Sequence, residues 1–196
     1  MGGLEERHAL DEAMRRTEQE ATRMGQLVGD LLSLARLDQG RELQMTALDL
    51  NALAADAVAD ARAVEPDRSV ALVAADPVTV TGDDALIRQV LANLLGNVRV
   101  HTPPSAAVEV RVHRADDVAV VEVADQGPGM APEVAAHAFE RFFRADPARA
   151  RETGGSGLGL SIVASIVAAH QGQAEIFTAP GAGTTVRVTL PVAPAR

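Results

Sequence analysis

Cysteine, tryptophan and tyrosine are absent from this 196-residue chain, and only 4 phenylalanines represent the aromatics. Lysine is absent as well, so all 18 basic residues are arginine. Without cysteine there is no disulfide framework and no thiolate metal site. No uninterrupted apolar run is long enough to span a bilayer. Met1–Arg7 lacks the apolar stretch of a secretory leader. Basic excess is missing too: 27 acidic side chains give a net charge of -9, a poor match for nucleic acid or anionic lipid. What the chain does have is 47% hydrophobic residues, enough for a core. Its length suits one domain of about 150 residues with an additional element, or two small domains.

That additional element comes first. Leu10, Met14, Thr17, Ala21, Met24, Val28, Leu31 and Ala35 recur at alternating steps of four and three, the seam of a bundle or coiled-coil helix. Leu27, Leu32 and Leu34 widen the stripe, and Gly40 is positioned to end the helix. One such helix cannot bury its stripe alone, so it needs partner helices or its own domain to pack on.

After Gly40 the period changes. A short strand is expected within 42–49, an Ala-rich helix over 51–64 stopped by Pro66, and two strands, 70–75 and 78–81, around Asp76–Pro77. Asp83–Asp84 caps a helix to about Val98 that buries Leu86, Val90, Leu91, Leu94 and Leu95. Strands are expected over 108–113 and 118–124, a short helix over 132–137, a helix over 158–170, and a closing strand pair, 173–178 and 184–190. The interval 146–156 is polar and aperiodic and reads as a loop. The order predicts an α+β fold: a two-layer sandwich with helices on one face of a mostly antiparallel sheet.

Four features carry chemistry. Asn93 and Asn97 lie four apart on an otherwise apolar helix, so both amides emerge on one face. An amide oxygen suits Mg²⁺ or bound water, although such a pair also arises by chance. Asp125-Gln-Gly127-Pro-Gly129 follows an apolar strand and can present a carboxylate beside backbone that a ligand approaches closely. A tight turn is the plainer reading. Gly154-Gly-Ser-Gly157-Leu-Gly159-Leu160 runs into a helix whose N-terminal N–H groups favour phosphate. Phe139–Arg144 holds three of the phenylalanines, as an ordinary satellite core also would.

As an ordered set these features resemble the catalytic ATP-binding domain of sensor histidine kinases, within the gyrase–Hsp90–kinase–MutL ATPase superfamily (the Bergerat fold). QVLANLLGNVRVHTP is similar to the N box, DQGPGM to the first glycine box, FERFFR to the F box and GGSGLGLSIV to the second glycine box. GAGTTVRVTLP is similar to the closing turn and strand. RRTEQEATRMGQLVGDLLSLARLDQG is similar to the second helix of the dimerisation and phosphoacceptor domain. The resemblance implies domains at 1–40 and 41–196, with ATP and Mg²⁺ as cofactors. It implies that Asp125 accepts from the adenine amino group, that Gly127 and Gly129 shape the entry turn, and that Thr184 stands near the base. It implies Asn97 as Mg²⁺ ligand, Asn93 as a catalytic positioner of phosphate or water, and His101 beside the adenine. Gly155, Ser156, Gly157 and Gly159 would fold round the phosphates, with Leu158 and Leu160 as anchors and Arg144 in reach of phosphate.

Two departures stand out. Val100 occupies the place where the family carries a basic residue, and the base falls one position earlier, at Arg99; Arg144 or Arg149 would compensate. The acceptor motif His-Glu-x-x-x-Pro is absent, and His8, followed by Ala-Leu-Asp, lacks its context. The expected activity is therefore transfer of the ATP γ-phosphoryl to a histidine outside this chain, in a truncated or split kinase. The expected partners are an acceptor protein or the missing half of the same kinase, a response regulator, and a second copy through residues 5–38, all in the cytoplasm, with the chain either free there or the cytoplasmic part of a membrane sensor. The alternative is a degenerate ATP-binding module that acts through its helix; an anti-sigma-type serine kinase fits the F-box segment and the helix less well.

Overall fold

The computed structural model describes residues 2–39, 42–144 and 156–192. Gly40, predicted to end the first helix, lies outside them, as does the side chain of His8. Helix α1 spans Gly2–Asp38, strand β1 Thr46–Asp49, helix α2 Leu50–Val64, and strands β2 and β3 Val70–Ala74 and Thr79–Gly82. Helix α3 follows at Asp84–His101, then β4 at Val108–Ala115, β5 at Val118–Asp125 and the single turn α4 at Pro132–Ala135. Helix α5 spans Gly159–Ala169, and β6 (Gln173–Thr178) and β7 (Thr184–Pro191) close the chain.

The main sheet has the order β2-β4-β5-β7-β6, parallel only between β2 and β4. Alternation in the sequence assigns its faces. Val108, Val110 and Val112 of β4, Val121 and Val123 of β5, and Val186, Val188 and Leu190 of β7 point to one side and are buried. Helices α2, α3 and α5 cover that side. Asp49 caps α2 by accepting from the N–H groups of Asn51 and Ala52 at 2.9 and 3.2 Å, and Asp83 caps α3 by accepting from Leu86 at 3.3 Å. The opposite face carries Arg111, Glu122, Arg187 and Glu175 directly abreast on four strands. The α+β sandwich predicted from the sequence is the fold observed.

Two details differ from the sequence reading, while the two strands expected around Asp76–Pro77 are both present, in different sheets: β2 joins the main sheet and β3 pairs antiparallel with β1. Asn51 clamps the turn between them: its amide donates to Asp76 O at 2.8 Å and accepts from Val78 N–H at 3.3 Å. Helix α3 runs one turn past Val98, until Thr102 adopts the extended backbone that Pro103 demands. Ile87 and Val98 are buried on α3, whereas Leu86 and Leu95 are only partly buried.

Helix α1 carries two stripes. The predicted seam from Leu10 to Ala35 is exposed throughout. Leu34, with Leu27 and Leu37, forms a separate stripe that packs on the rest of the chain and contacts α5. Helix α5 is apolar nearly all round, as a helix enclosed between α1, α3 and the sheet must be; Ile162, Val163, Ile166 and Val167 are fully buried.

Candidate functional site

The C-terminal ends of α3 and β5, the turn after β5 and the β6–β7 hairpin meet in one region. Asp125 ends β5 opposite Thr184 of β7. Its carboxylate accepts from Gly127 N–H at 2.8 Å and also from the Thr184 N–H. Burial nevertheless raises its pKa above the usual carboxylate range; those two N–H groups, Arg68 and His101 pull it back. The carboxylate is thus partly desolvated and fixed in direction.

Two glycines allow the backbone to close here. A Cβ on Gly129, at φ +66°, would lie 1.9 Å from Ala179 O, and one on Gly183, at φ +76°, would lie 2.0 Å from Asp125 O. Gly181 N–H donates to Pro128 O at 2.7 Å. The Thr178 hydroxyl accepts from Met130 N–H at 2.9 Å and donates to Gly183 O at 2.8 Å. Sequence reasoning missed Thr178; no motif marks it, and only the hairpin register brings it to the turn.

Asn93 and Asn97 are both partly buried on α3. The amide Nδ2 of Asn93 is buried with no hydrogen-bond partner among the described residues, and so is Nη2 of Arg144. Arg144 also bears on His101, an exposed residue at the end of α3: desolvation of the ring by its neighbours lowers the imidazole pKa first, the Arg144 charge lowers it further, and Asp125 opposes both. His101, Arg144 and Asp125 therefore share one electrostatic neighbourhood. Gly157, at φ +70°, packs on the Phe142–Arg144 segment: an added Cβ would lie 2.9 Å from Phe143 O, and Phe142 N–H donates to Gly157 O at 2.9 Å. Leu158 is fully buried, Leu160 packs on the core, and Leu158 N–H donates to the Ser156 hydroxyl at 3.2 Å. The F-box-like and second glycine-rich segments are thereby joined, with Gly159 opening α5.

Two expected residues stand apart. Arg99 is exposed, two residues or about 200° round the helix from Asn97. Gly155 lies outside the described residues, as does Arg149.

Residues 82–194 match the histidine kinase-, DNA gyrase B- and HSP90-like ATPase family. The chain belongs to that family. Among curated relatives, the probable sensor histidine kinase TcrY of Mycobacterium tuberculosis is 43% identical over 185 residues, covering 94% of this chain and 39% of TcrY. The mycobacterial sensor histidine kinase MprB superposes with TM-score 0.67 at 30% identity, over 77% of this chain and 99% of that one. Full-length ShkA, solved in complex with AMPPNP, gives 0.73 at 30% identity, over 87% of this chain and 36% of ShkA. The chain thus spans well under half the length of relatives such as TcrY, and it carries the ATPase catalytic domain of a sensor histidine kinase. Among the described residues no helix is long and apolar enough to cross a membrane.

Proposed function

We propose that this chain binds ATP with Mg²⁺ and delivers the γ-phosphoryl to a histidine on another polypeptide, or on a part of the same kinase outside residues 1–196. The observation that carries the reading is two buried, unpartnered donors, Asn93 Nδ2 on α3 and Arg144 Nη2 after the F-box-like segment, the second of which shares His101 as a neighbour with the partly desolvated Asp125. Buried donors without acceptors are costly, and a bound phosphate would satisfy both. Asp125 would orient the base, with Gly127, Gly129 and Thr184 shaping its entrance and His101 alongside. Asn97 would ligand Mg²⁺, which supplies charge neutralisation at the phosphates. Asn93, Arg144, Ser156, Gly157 and Gly159 would hold the phosphoryl end. Phosphoryl transfer asks mainly for such positioning and charge neutralisation.

In this reading residues 1–40 belong to a dimerisation and phosphoacceptor domain and 41–196 to the catalytic domain, working in the cytoplasm with a response regulator downstream. The exposed seam of α1 supports a partner helix or second copy there: Leu10, Met14, Met24, Val28 and Leu31 all face solvent. A second reading, a degenerate module that binds nucleotide without transfer, draws on Val100 and the outward Arg99.

Incubation with γ-labelled ATP, Mg²⁺ and a helical acceptor protein from the same two-component system separates the two. Acid-labile, base-stable label on the acceptor is the expected result. Bound ATP with no transfer to any cognate acceptor would favour the module.

A further inference from the structure

Arg68, just before β2, is buried, its side chain only 3% exposed. Its Nε donates to Glu65 Oε2 at 2.7 Å and its Nη1 to Thr102 Oγ1 at 2.7 Å. Longer contacts at 3.4 Å reach the carbonyls of Thr102 and Ala106. One guanidinium therefore grips both ends of the connection that leads out of α3 into β4. Desolvating a guanidinium is expensive, and one partly exposed carboxylate offsets only part of that cost. Bracing a loop for stability alone does not require a buried charge.

The contacts lead to the site. The Thr102 hydroxyl accepts from Arg68 and donates to Val98 O at 2.8 Å, so its proton and its orientation are both fixed. That orientation sets the Thr102 methyl against the turn after β5. A Cβ on Gly127 would lie 2.6 Å from Thr102 Cγ2 and 2.7 Å from Asp125 Oδ1. Gln126 N–H donates to Ala107 O at 3.0 Å, tying the same connection to the same turn. The Arg68 charge also favours the ionised Asp125 that a base amino group needs as acceptor.

We infer that Arg68 is a positioning residue for nucleobase recognition: acting through Thr102, it fixes the Gly127 turn and the Asp125 carboxylate that reads the base. This rests on the nucleotide-binding reading above. It concerns only the base end of the site, because among the described residues the hydrogen bonds of Arg68 go to Glu65, Thr102 and Ala106 and none goes to Asn93, Arg144 or Ser156.

The test compares ATP with inosine triphosphate, in which a carbonyl replaces the amino group that Asp125 would hold. Calorimetry with Mg²⁺ is run on the full chain, Arg68→Met, Thr102→Val and the double variant. For each single variant the ATP Kd is expected to rise about tenfold, as loss of ~1.4 kcal/mol gives. The inosine triphosphate Kd is expected to move less than about twofold, and the double variant to be no weaker than either single one. Wild-type ATP affinity in a folded Arg68→Met chain, or equal losses for both nucleotides, overturns the inference. If Arg68→Met does not fold, Thr102→Val decides by the same two criteria. Wild type that binds neither nucleotide overturns the nucleotide reading itself, a separate result.

Discussion

Asp38, the last residue of α1, holds Arg141 in a two-pronged ion pair, with Nη2···Oδ1 at 2.8 Å and Nη1···Oδ2 at 2.9 Å. Two turns earlier on the same helix, Asp30 Oδ2 accepts from the Ser156 hydroxyl at 3.4 Å. Helix α1 therefore touches both the Phe139–Arg144 segment and the glycine-rich segment that opens α5. The pair is exposed, so its contribution is screened by salt.

The two carboxylates are expected to titrate in opposite directions. Arg141 holds the Asp38 pKa below the usual carboxylate range, so its contact persists above that range and is lost as pH falls through the lowered value. Burial raises Asp30, with Ser156 opposing, so the folded chain takes up that proton more readily than the unfolded chain. Its contribution therefore declines as pH rises through the raised pKa. Carboxyl NMR titration of wild type and Arg141→Ala checks both: Asp38 should move up in the variant and Asp30 should stay. An unchanged Asp38 would refute the ion pair.

Asp125→Asn is expected to keep the fold, since the amide oxygen still accepts from Gly127 N–H. It should weaken ATP binding by about ten- to a hundredfold, the worth of a hydrogen bond to a charged group. Because burial raises the Asp125 pKa, wild-type ATP affinity should begin to fall at a higher pH than an ordinary carboxylate would dictate. Protonation replaces the charged acceptor with a weaker neutral one that also carries an O–H donor, so the loss comes on acidification. Calorimetry across about pH 4 to pH 7 measures it, and a flat profile would contradict the assignment.

Gly183→Ala and Gly159→Ala should separate closely. The first forces a Cβ to 2.0 Å from Asp125 O at φ +76°, and the second meets nothing within 4 Å. Thermal unfolding should show a loss of at least about 1–3 kcal/mol for Gly183→Ala. For Gly159→Ala it should show no loss, or a gain of up to about 1 kcal/mol from helix propensity. Any weaker ATP binding in the second variant then reports on phosphate contact rather than on folding.

What the sequence made legible was local. Asp125, Gly127 and Gly129 sit in one turn and Asn93 and Asn97 on one helix face, so spacing alone groups them. The strands of the main sheet were likewise legible as short alternating or apolar runs. Partners distant in sequence left no such trace. Arg68, outside any motif, meets Thr102 across 34 residues, and Ser156 of the second glycine-rich segment meets Asp30 across 126, pairings that no local spacing encodes. The two stripes of α1 merged in the reading because a coiled-coil seam and a core-facing stripe share the same step. Only the position of α5 shows that Leu34 packs inward while Leu31 faces out. The Asn51 amide clamps the turn between β2 and β3, a contact that no period encodes.

His170 illustrates the same point at the far end of α3. The residue is 4% exposed, with Nδ1 2.8 Å from Ile166 O and Nε2 3.0 Å from Asp83 N. A carbonyl on one side requires Nδ1 to carry the proton; an N–H on the other requires Nε2 to accept. The neutral Nδ1–H form is thereby specified, and it couples the end of α5 to the residue that caps α3. Asp83 also accepts from Gln44 N–H at 3.1 Å, so the chain entering β1 joins the same junction. His170→Ala strands the Asp83 N–H beside a small void and should cost about 1–3 kcal/mol in urea unfolding. His170→Gln, whose amide oxygen can accept in place of Nε2, should recover part of that loss. Equal destabilisation by both variants would mean that ring packing, rather than the hydrogen bond to Asp83, secures the start of α3.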